Sequence, residues 1–250
     1  MSKKLRLHQF LSKTGKFRDK KEVYNVIESK LISINDKTIT NKDYQFKISS
    51  SVKYKNKEIN LIENYIYIII NKPIGYLSSR LTEKDKELKK KSIYDLLNLN
   101  EKEKNSISCV GRLDENSSGL LIMTNDGKLN INITNPIKEI KKTYSLVLEE
   151  ELSLEEINKL ERGLLITLEK NGEETTYKTK PSKIKRLSKK KEIEITITEG
   201  KKRQVRRMME SIGNNVLSLK RIKINNLELD LSVGKSKIIS KEEIEEKIFS

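Results

Sequence analysis

Apolar residues in the first thirty positions recur at helical spacing. Leu7, Phe10 and Leu11 form one stripe, and Val23, Val26 and Ile27 form a second. Gly15 lies between them, where a chain leaving a helix favours a residue that tolerates positive φ. The period then changes. "LISINDKTIT" (residues 31–40) alternates apolar and polar, with Asn35-Asp36 at its turn. Two short helices and a small hairpin are predicted. "SSSVKYKNKEIN" (49–60) is polar, holds at most one strand, and closes this first unit.

A second unit opens at position 65 with "YIYIII", a β-branched run that predicts a strand. Pro73 and Gly75 in "NKPIGYLSS" (71–79) force a turn. Residues 80–97 are a charged excursion ending in a short helix at 93–97. "VGRLDENSSGLLIMTND" (110–126) sets Arg112 and Asp114 in a glycine-framed polar turn before the apolar run 120–123, a core strand. After "KKTYSLVLEEEL" (141–152) a helix is predicted over 153–162, opened by Ser153 and Glu156 as a capping box. "KEIEITITEG" (191–200) alternates strictly, as a strand does. "RQVRRMMESIG" (203–213) reads as a helix closed by Gly213, with Val205 and Met208 facing a core. "VLSLKRIKINNLELD" (216–230) adds a strand or two, and "KEEIEEKIF" (241–249) an amphipathic helix. No internal repeat is present. Strands predominate, with helices between them. The fold class is α+β on a largely antiparallel mixed sheet with flanking helices, divided at 1–60 and 61–250.

Composition narrows the chemistry. Hydrophobic and charged residues each make up 35% of the 250 positions, and the net charge is +16, which points to a polyanionic partner. Alanine and tryptophan are absent, lysine is the main charge, and the arginines are fewer and more clustered. One cysteine, Cys109, excludes an internal disulfide and a cysteine-cluster metal site. One histidine, His8, excludes most histidine-based zinc and triad chemistry, and it reads as a structural or surface residue. The apolar run 65–70 is far too short to span a bilayer, and "MSKKLRLHQF" has no signal-peptide core. A cytoplasmic protein without metal, cofactor or membrane contact is expected.

The turn around Asp114 carries the one constellation with catalytic meaning. It is expected near a sheet edge, where a half-buried carboxylate stays ionised only beside a cation. Arg112 offers a structural bridge within the turn. The alternative is the strand-to-helix junction at 200–207, where Lys202, Arg203, Arg206 and Arg207 cluster. As a basic helix face, that cluster would meet phosphate or solvent. Because Val205 packs down, Arg206 is also placed to hold a buried carboxylate.

Four segments, "NKPIGYLSS", "GRLDENSSGLLIMTNDG", "KKTYSLVL" and "EGKKRQVRRMMESIG", stand in the order found in one family. Over nearly its whole length the chain resembles pseudouridine synthases of the ribosomal small- and large-subunit type, the branch with an N-terminal S4 domain. The first fifty residues resemble that S4 RNA-binding domain, fringed by Arg6, Lys13, Lys16, Arg18, Lys20 and Lys21. The resemblance implies the pseudouridine synthase fold and isomerisation of uridine to pseudouridine in ribosomal RNA, 23S favoured over 16S. It implies that Asp114 is the catalytic aspartate, as nucleophile or base. Tyr144 would stack on the flipped base, Arg206 would pair with the aspartate, Val205 would pack in the pocket, and Arg112 would help extrude the nucleotide. Lys72 and Pro73 match a structural motif. Two positions depart from the pattern: Val205 where Ile is usual, and Ser117-Ser118 where a Thr-containing pair is common.

The chemistry agrees with those residue types. Breaking the bond from C1′ to N1 and rejoining at C5 needs one carboxylate and no metal or redox group. Flipping a base costs a few kcal/mol, and stacking on an aromatic ring returns about 1–3 kcal/mol. Lys202, Arg203 and Arg207, with Arg6, Lys13, Arg18 and Lys20, would grip phosphates. Ribosomal RNA, free or in pre-ribosomal particles, is the expected partner of a monomer. The competing reading is a catalytically idle S4-type rRNA-binding or assembly protein. A DNA-binding regulator fits the four segments less well.

Overall fold

The fold was obtained as a computed structural model, which describes residues 4–170 and 172–250. The two N-terminal stripes form the helices Leu7–Lys13 and Lys20–Glu28. Asp19 caps the second by accepting from the Glu22 amide, which occupies one of the free donors of a helix start. The strands Lys37–Thr38, Ile32–Ile34, Val52–Tyr54 and Lys57–Glu58 follow as a small sheet in that order. Both of its hairpins turn on consecutive residues at positive φ, Asn35-Asp36 and Lys55-Asn56, the geometry that matches strand twist. Residues 49–60 therefore supply two strands where the sequence suggested one at most. These elements enclose their own core, including Leu7, Phe10, Leu11, Val23, Ile27, Ile32 and Val52.

The rest of the chain is built on a nine-stranded sheet. Its main path runs Lys183–Arg186, Glu192–Ile197, Lys142–Leu148, Val216–Ile224, Ser118–Thr124, Tyr67–Lys72, Ser236–Ile238. Neighbours are antiparallel except Ser118–Thr124 beside Val216–Ile224, which run parallel. The two apolar runs of the sequence are adjacent central strands, and strand alternation divides their side chains between two layers. Ile68, Ile70, Leu121 and Met123 face one layer, closed by Leu160 and by Val205, Met208 and Met209 of the helix Gln204–Glu210. Tyr67, Ile69, Leu120 and Ile122 face the other, closed by the helices Gly127–Thr134 and Lys241–Phe249. Burial on both faces explains why these runs are continuously apolar. The turn holding Asp114 consequently enters the middle of the sheet. The expected position near a sheet edge is incorrect, because Ser118–Thr124 is paired on both sides.

Several elements were not anticipated. The charged excursion contains the helix Glu83–Glu87, started by a Thr82–Asp85 capping box, and Glu101–Ser106 is a helix with Asn100 as its cap. Gly127–Thr134 is a helix although "LNINIT" alternates like a strand. Asp126 accepts from the Lys128 and Leu129 amides and fixes its start. Leu165–Lys170 and Glu173–Lys178 form a separate hairpin. Among the described residues no helix is long and apolar enough to cross a membrane.

Candidate active site

A cavity of about 370 Å³ opens over the centre of the large sheet. Asp114 and Arg112 reach it from the turn before Ser118–Thr124, and Tyr144 from the strand Lys142–Leu148. Lys202, Arg203 and Val205 reach it from the strand-to-helix junction, Arg203 in a left-handed conformation at φ 55°. Tyr144 is 8% exposed, so its ring forms part of the wall, whereas Arg112 is open to solvent. Val205 is buried against the same wall.

Each backbone carbonyl from 113 to 117 has a donor. The Ser78 hydroxyl donates to Leu113 O at 2.7 Å and receives the Leu113 amide. The Ser117 amide donates to Asp114 O. The Gly75 amide and Lys72 Nζ donate to Glu115 O. Arg206 Nη2 donates to Asn116 O at 2.9 Å. Lys72 Nζ donates to Ser117 O at 2.7 Å. A turn with every acceptor paired has little freedom to shift, so the Asp114 side chain projects from a fixed frame. Lys72 is fully buried, and burial pulls its ammonium down to about 8, although Glu115 and Asp114 oppose the shift.

The expected ion pair between Arg206 and Asp114 is not formed. Asp114 takes part in no ion pair among the described residues. Arg206 does not line the cavity. Its guanidinium spans from Asn116 O to Val216 O, the latter at 2.8 Å, and so ties the helix Gln204–Glu210 to the turn and to the next strand. Backbone carbonyls at hydrogen-bond distance outcompete a carboxylate that points into the cavity. Burial and neighbouring Arg203 pull the Arg206 guanidinium below its ordinary range, and the charge of Asp114 acts the other way. Arg206 therefore feels Asp114 electrostatically and braces the turn that carries it through Asn116 O.

The remaining predicted cations fall in three places. Arg207 carries a buried Nη1 with no hydrogen bond among the described residues, away from the cavity wall. Lys13, Arg18 and Lys20 line a second cleft, about 320 Å³, between the N-terminal helices and residues such as Arg80, Asn105 and Asn125. Arg18 is paired there with Asp19 and Glu83, and Lys20 lies 5.2 Å from the Tyr24 ring centre. Arg6 is exposed beside Asp43. None of these four reaches the Asp114 cavity.

Other cavity residues escaped the sequence reading. Glu199 is 6% exposed, and its carboxylate accepts from the Tyr177 hydroxyl, the Lys180 amide and the Gln204 amide group. It fastens the hairpin end and the start of the helix Gln204–Glu210 to one point. The hydrogen bond to Glu199, with burial, pushes the Tyr177 hydroxyl up to about 12. Lys142 lines the cavity half-buried, and burial with neighbouring Arg221 pulls it down to about 8. Arg221, 3% exposed, lies directly across the strand pair from Tyr144. Gly119 makes room for it: φ is +112°, and a Cβ there would overlap the backbone of Arg221. A signal for Arg221 was present, since an arginine stands two positions after Leu219 in an apolar strand of a lysine-biased chain.

Comparison with known proteins matches this architecture. A model of the family described as RNA pseudouridylate synthase matches residues 66–211. The chain is 33% identical to an uncharacterized RNA pseudouridine synthase of Bacillus subtilis, covering 96% of this chain and 97% of the relative. It is 33% identical to ribosomal large subunit pseudouridine synthase B of the same bacterium, over 86% of this chain and 84% of that one. Ribosomal small subunit pseudouridine synthase A of Vibrio cholerae is 29% identical, over 90% and 92%. A crystal structure of a pseudouridylate synthase superposes with a TM-score of 0.67 at 26% identity, covering 98% of this chain and all of that one.

Proposed function

The chain belongs to the RNA pseudouridylate synthase family, and from that premise we propose that it isomerises a specific uridine of ribosomal RNA with Asp114 as the catalytic group. The observation that carries this reading is the Asp114 carboxylate, free of any ion pair among the described residues. It faces a cavity shared with the Tyr144 ring, on a turn whose carbonyls are all held. Such a carboxylate is free to act on the sugar or at C1′, while the fixed turn supplies orientation. Tyr144 takes the face of the flipped uracil. Arg112, exposed at the rim, displaces the nucleotide from its stack. Arg206 is a positioning residue that acts on Asp114 through the Asn116 carbonyl.

Residues 1–60 serve as an S4-type RNA-binding domain in this reading, and 61–250 as the catalytic domain. Support comes from the separate N-terminal core and from the cations Lys13, Arg18 and Lys20 beside the second cleft. With Lys202, Arg203 and Arg207 they supply the salt-dependent hold on phosphates. The relatives named for both ribosomal subunits support rRNA as substrate. Within that class we favour the large-subunit RNA, modified by a monomer in the cytoplasm, free or in a pre-ribosomal particle.

Isomerisation replaces the bond from C5 to hydrogen with one from C5 to C1′. Ribosomal RNA transcripts carrying tritium at uridine C5 should therefore release it to water on incubation with the protein. Tight binding of both subunit RNAs without release would favour the idle binding protein instead.

A further inference from the structure

Arg221 is a buried cation whose hydrogen-bonding capacity is mostly unused. Its Nε donates to Leu120 O at 2.7 Å. Nη2 is buried and makes no hydrogen bond, and Arg221 forms no ion pair, among the described residues. Buried polar groups are paired as a rule, and a guanidinium left without partners costs stability unless a ligand completes it. The side chain lines the cavity with Asp114 and Tyr144. Residues directly opposite on antiparallel strands have Cβ atoms about 4.5–5.5 Å apart, and Tyr144 and Arg221 are such a pair. A base stacked on the Tyr144 ring therefore presents an edge to the Arg221 side chain.

The geometry points to Arg221 as a uracil-recognition residue, which donates from its terminal amino groups to a carbonyl oxygen of the base stacked on Tyr144. This rests on the isomerase reading above and adds to it. A guanidinium only donates. Uracil offers two carbonyl oxygens at its edges, whereas cytosine replaces one with an amino group that also donates. A donor fixed in a dry cavity at the O4 edge therefore discriminates between the two pyrimidines, because the amino group of cytosine leaves both donors unpaired there, whereas both bases share O2. The charge also sits where the uracil, detached from C1′, carries negative charge. Lys142 lies on the same wall and adds to that field.

The test is a cycle of atomic and side-chain substitution. Ribosomal RNA transcripts are made with uridine, 2-thiouridine or 4-thiouridine, since sulfur is a weak acceptor in place of oxygen. Isomer formation by the full chain and by Arg221→Met is followed by chromatography of the digested nucleosides. One thio substitution should lower wild-type kcat/KM about 10- to 100-fold, as loss of a charged hydrogen bond does, and should leave Arg221→Met no slower than on uridine. Arg221→Lys, which keeps a donor, should show an intermediate thio effect. If Arg221→Met does not fold, as judged by its thermal transition, Arg221→Lys carries the cycle. Thio effects of equal size in wild type and variant, or none in the wild type, would overturn the assignment. A wild type that converts no uridine transcript would instead sink the isomerase reading, and this proposal with it.

Discussion

Lys72 combines full burial with three carbonyl partners, Pro73 O at 2.9 Å, Glu115 O at 3.3 Å and Ser117 O at 2.7 Å. Replacing it by Met keeps the volume and removes the donors. Glu115 O retains the Gly75 amide, so two carbonyls lose their partner, at about 1–3 kcal/mol each. Met also removes a buried charge. The ammonium is held at about 8 against its ordinary 10.5, which amounts to about 3 kcal/mol of penalty at neutral pH. The net cost of Lys72→Met at pH 7 is therefore small, about 1 kcal/mol. Between pH 8 and 10.5 the unfolded chain binds the extra proton, so wild-type stability from this residue rises with pH. From pH 7 to 9.5 the gain is about 2 kcal/mol, and Met has none. Urea unfolding of both proteins at the two pH values should show the difference growing to about 3 kcal/mol. A difference that stays constant or shrinks as pH rises would refute the reasoning. At either pH the loosened turn should lower kcat by about 100-fold with little change in RNA affinity.

Two further outcomes follow from the same geometry. Gly119→Ala places a Cβ into the Arg221 backbone at a strained φ, so the thermal midpoint should fall by about 10 °C; an unchanged midpoint would mean the two strands are not in this register. Lys142 is held at about 8 within the cavity, so kcat/KM should decline as pH rises through that value and the ammonium loses its charge. Lys142→Met should be slower at neutral pH and lack that decline; a variant with the wild-type profile would rule Lys142 out as its source.

Much of this structure can be read from residue order because local chemistry dictates it. Both N-terminal helices follow from their apolar spacing, and the Asp114 turn follows from a polar stretch running into "LLIM". What stayed hidden depends on contacts distant in sequence. The sequence shows that Arg206 begins a packed helix, but a guanidinium there reaches either a carboxylate or the carbonyls beside it, and the fold decides for Asn116 and Val216. Lys72 reads as half of a Lys-Pro pair, and only the folded chain brings the turn 45 residues later onto its ammonium. Glu199 joins Tyr177, Lys180 and Gln204 through a hairpin whose alternation is too weak to stand out among charged residues. The helix Gly127–Thr134 was missed because tertiary packing of Leu129 and Ile133 overrode a strand-like alternation.

The central claim is that one carboxylate performs the chemistry while the rest of the site binds and orients. It is tested most directly by supplying Asp114→Asn to cells that lack the protein and mapping pseudouridine across both ribosomal RNAs, alongside binding of the purified variant to the same RNA. The account predicts that the modification present with wild type is absent with Asp114→Asn, while RNA affinity stays within about 3-fold, since phosphate contacts dominate binding. Restoration of that pseudouridine by the variant would contradict it.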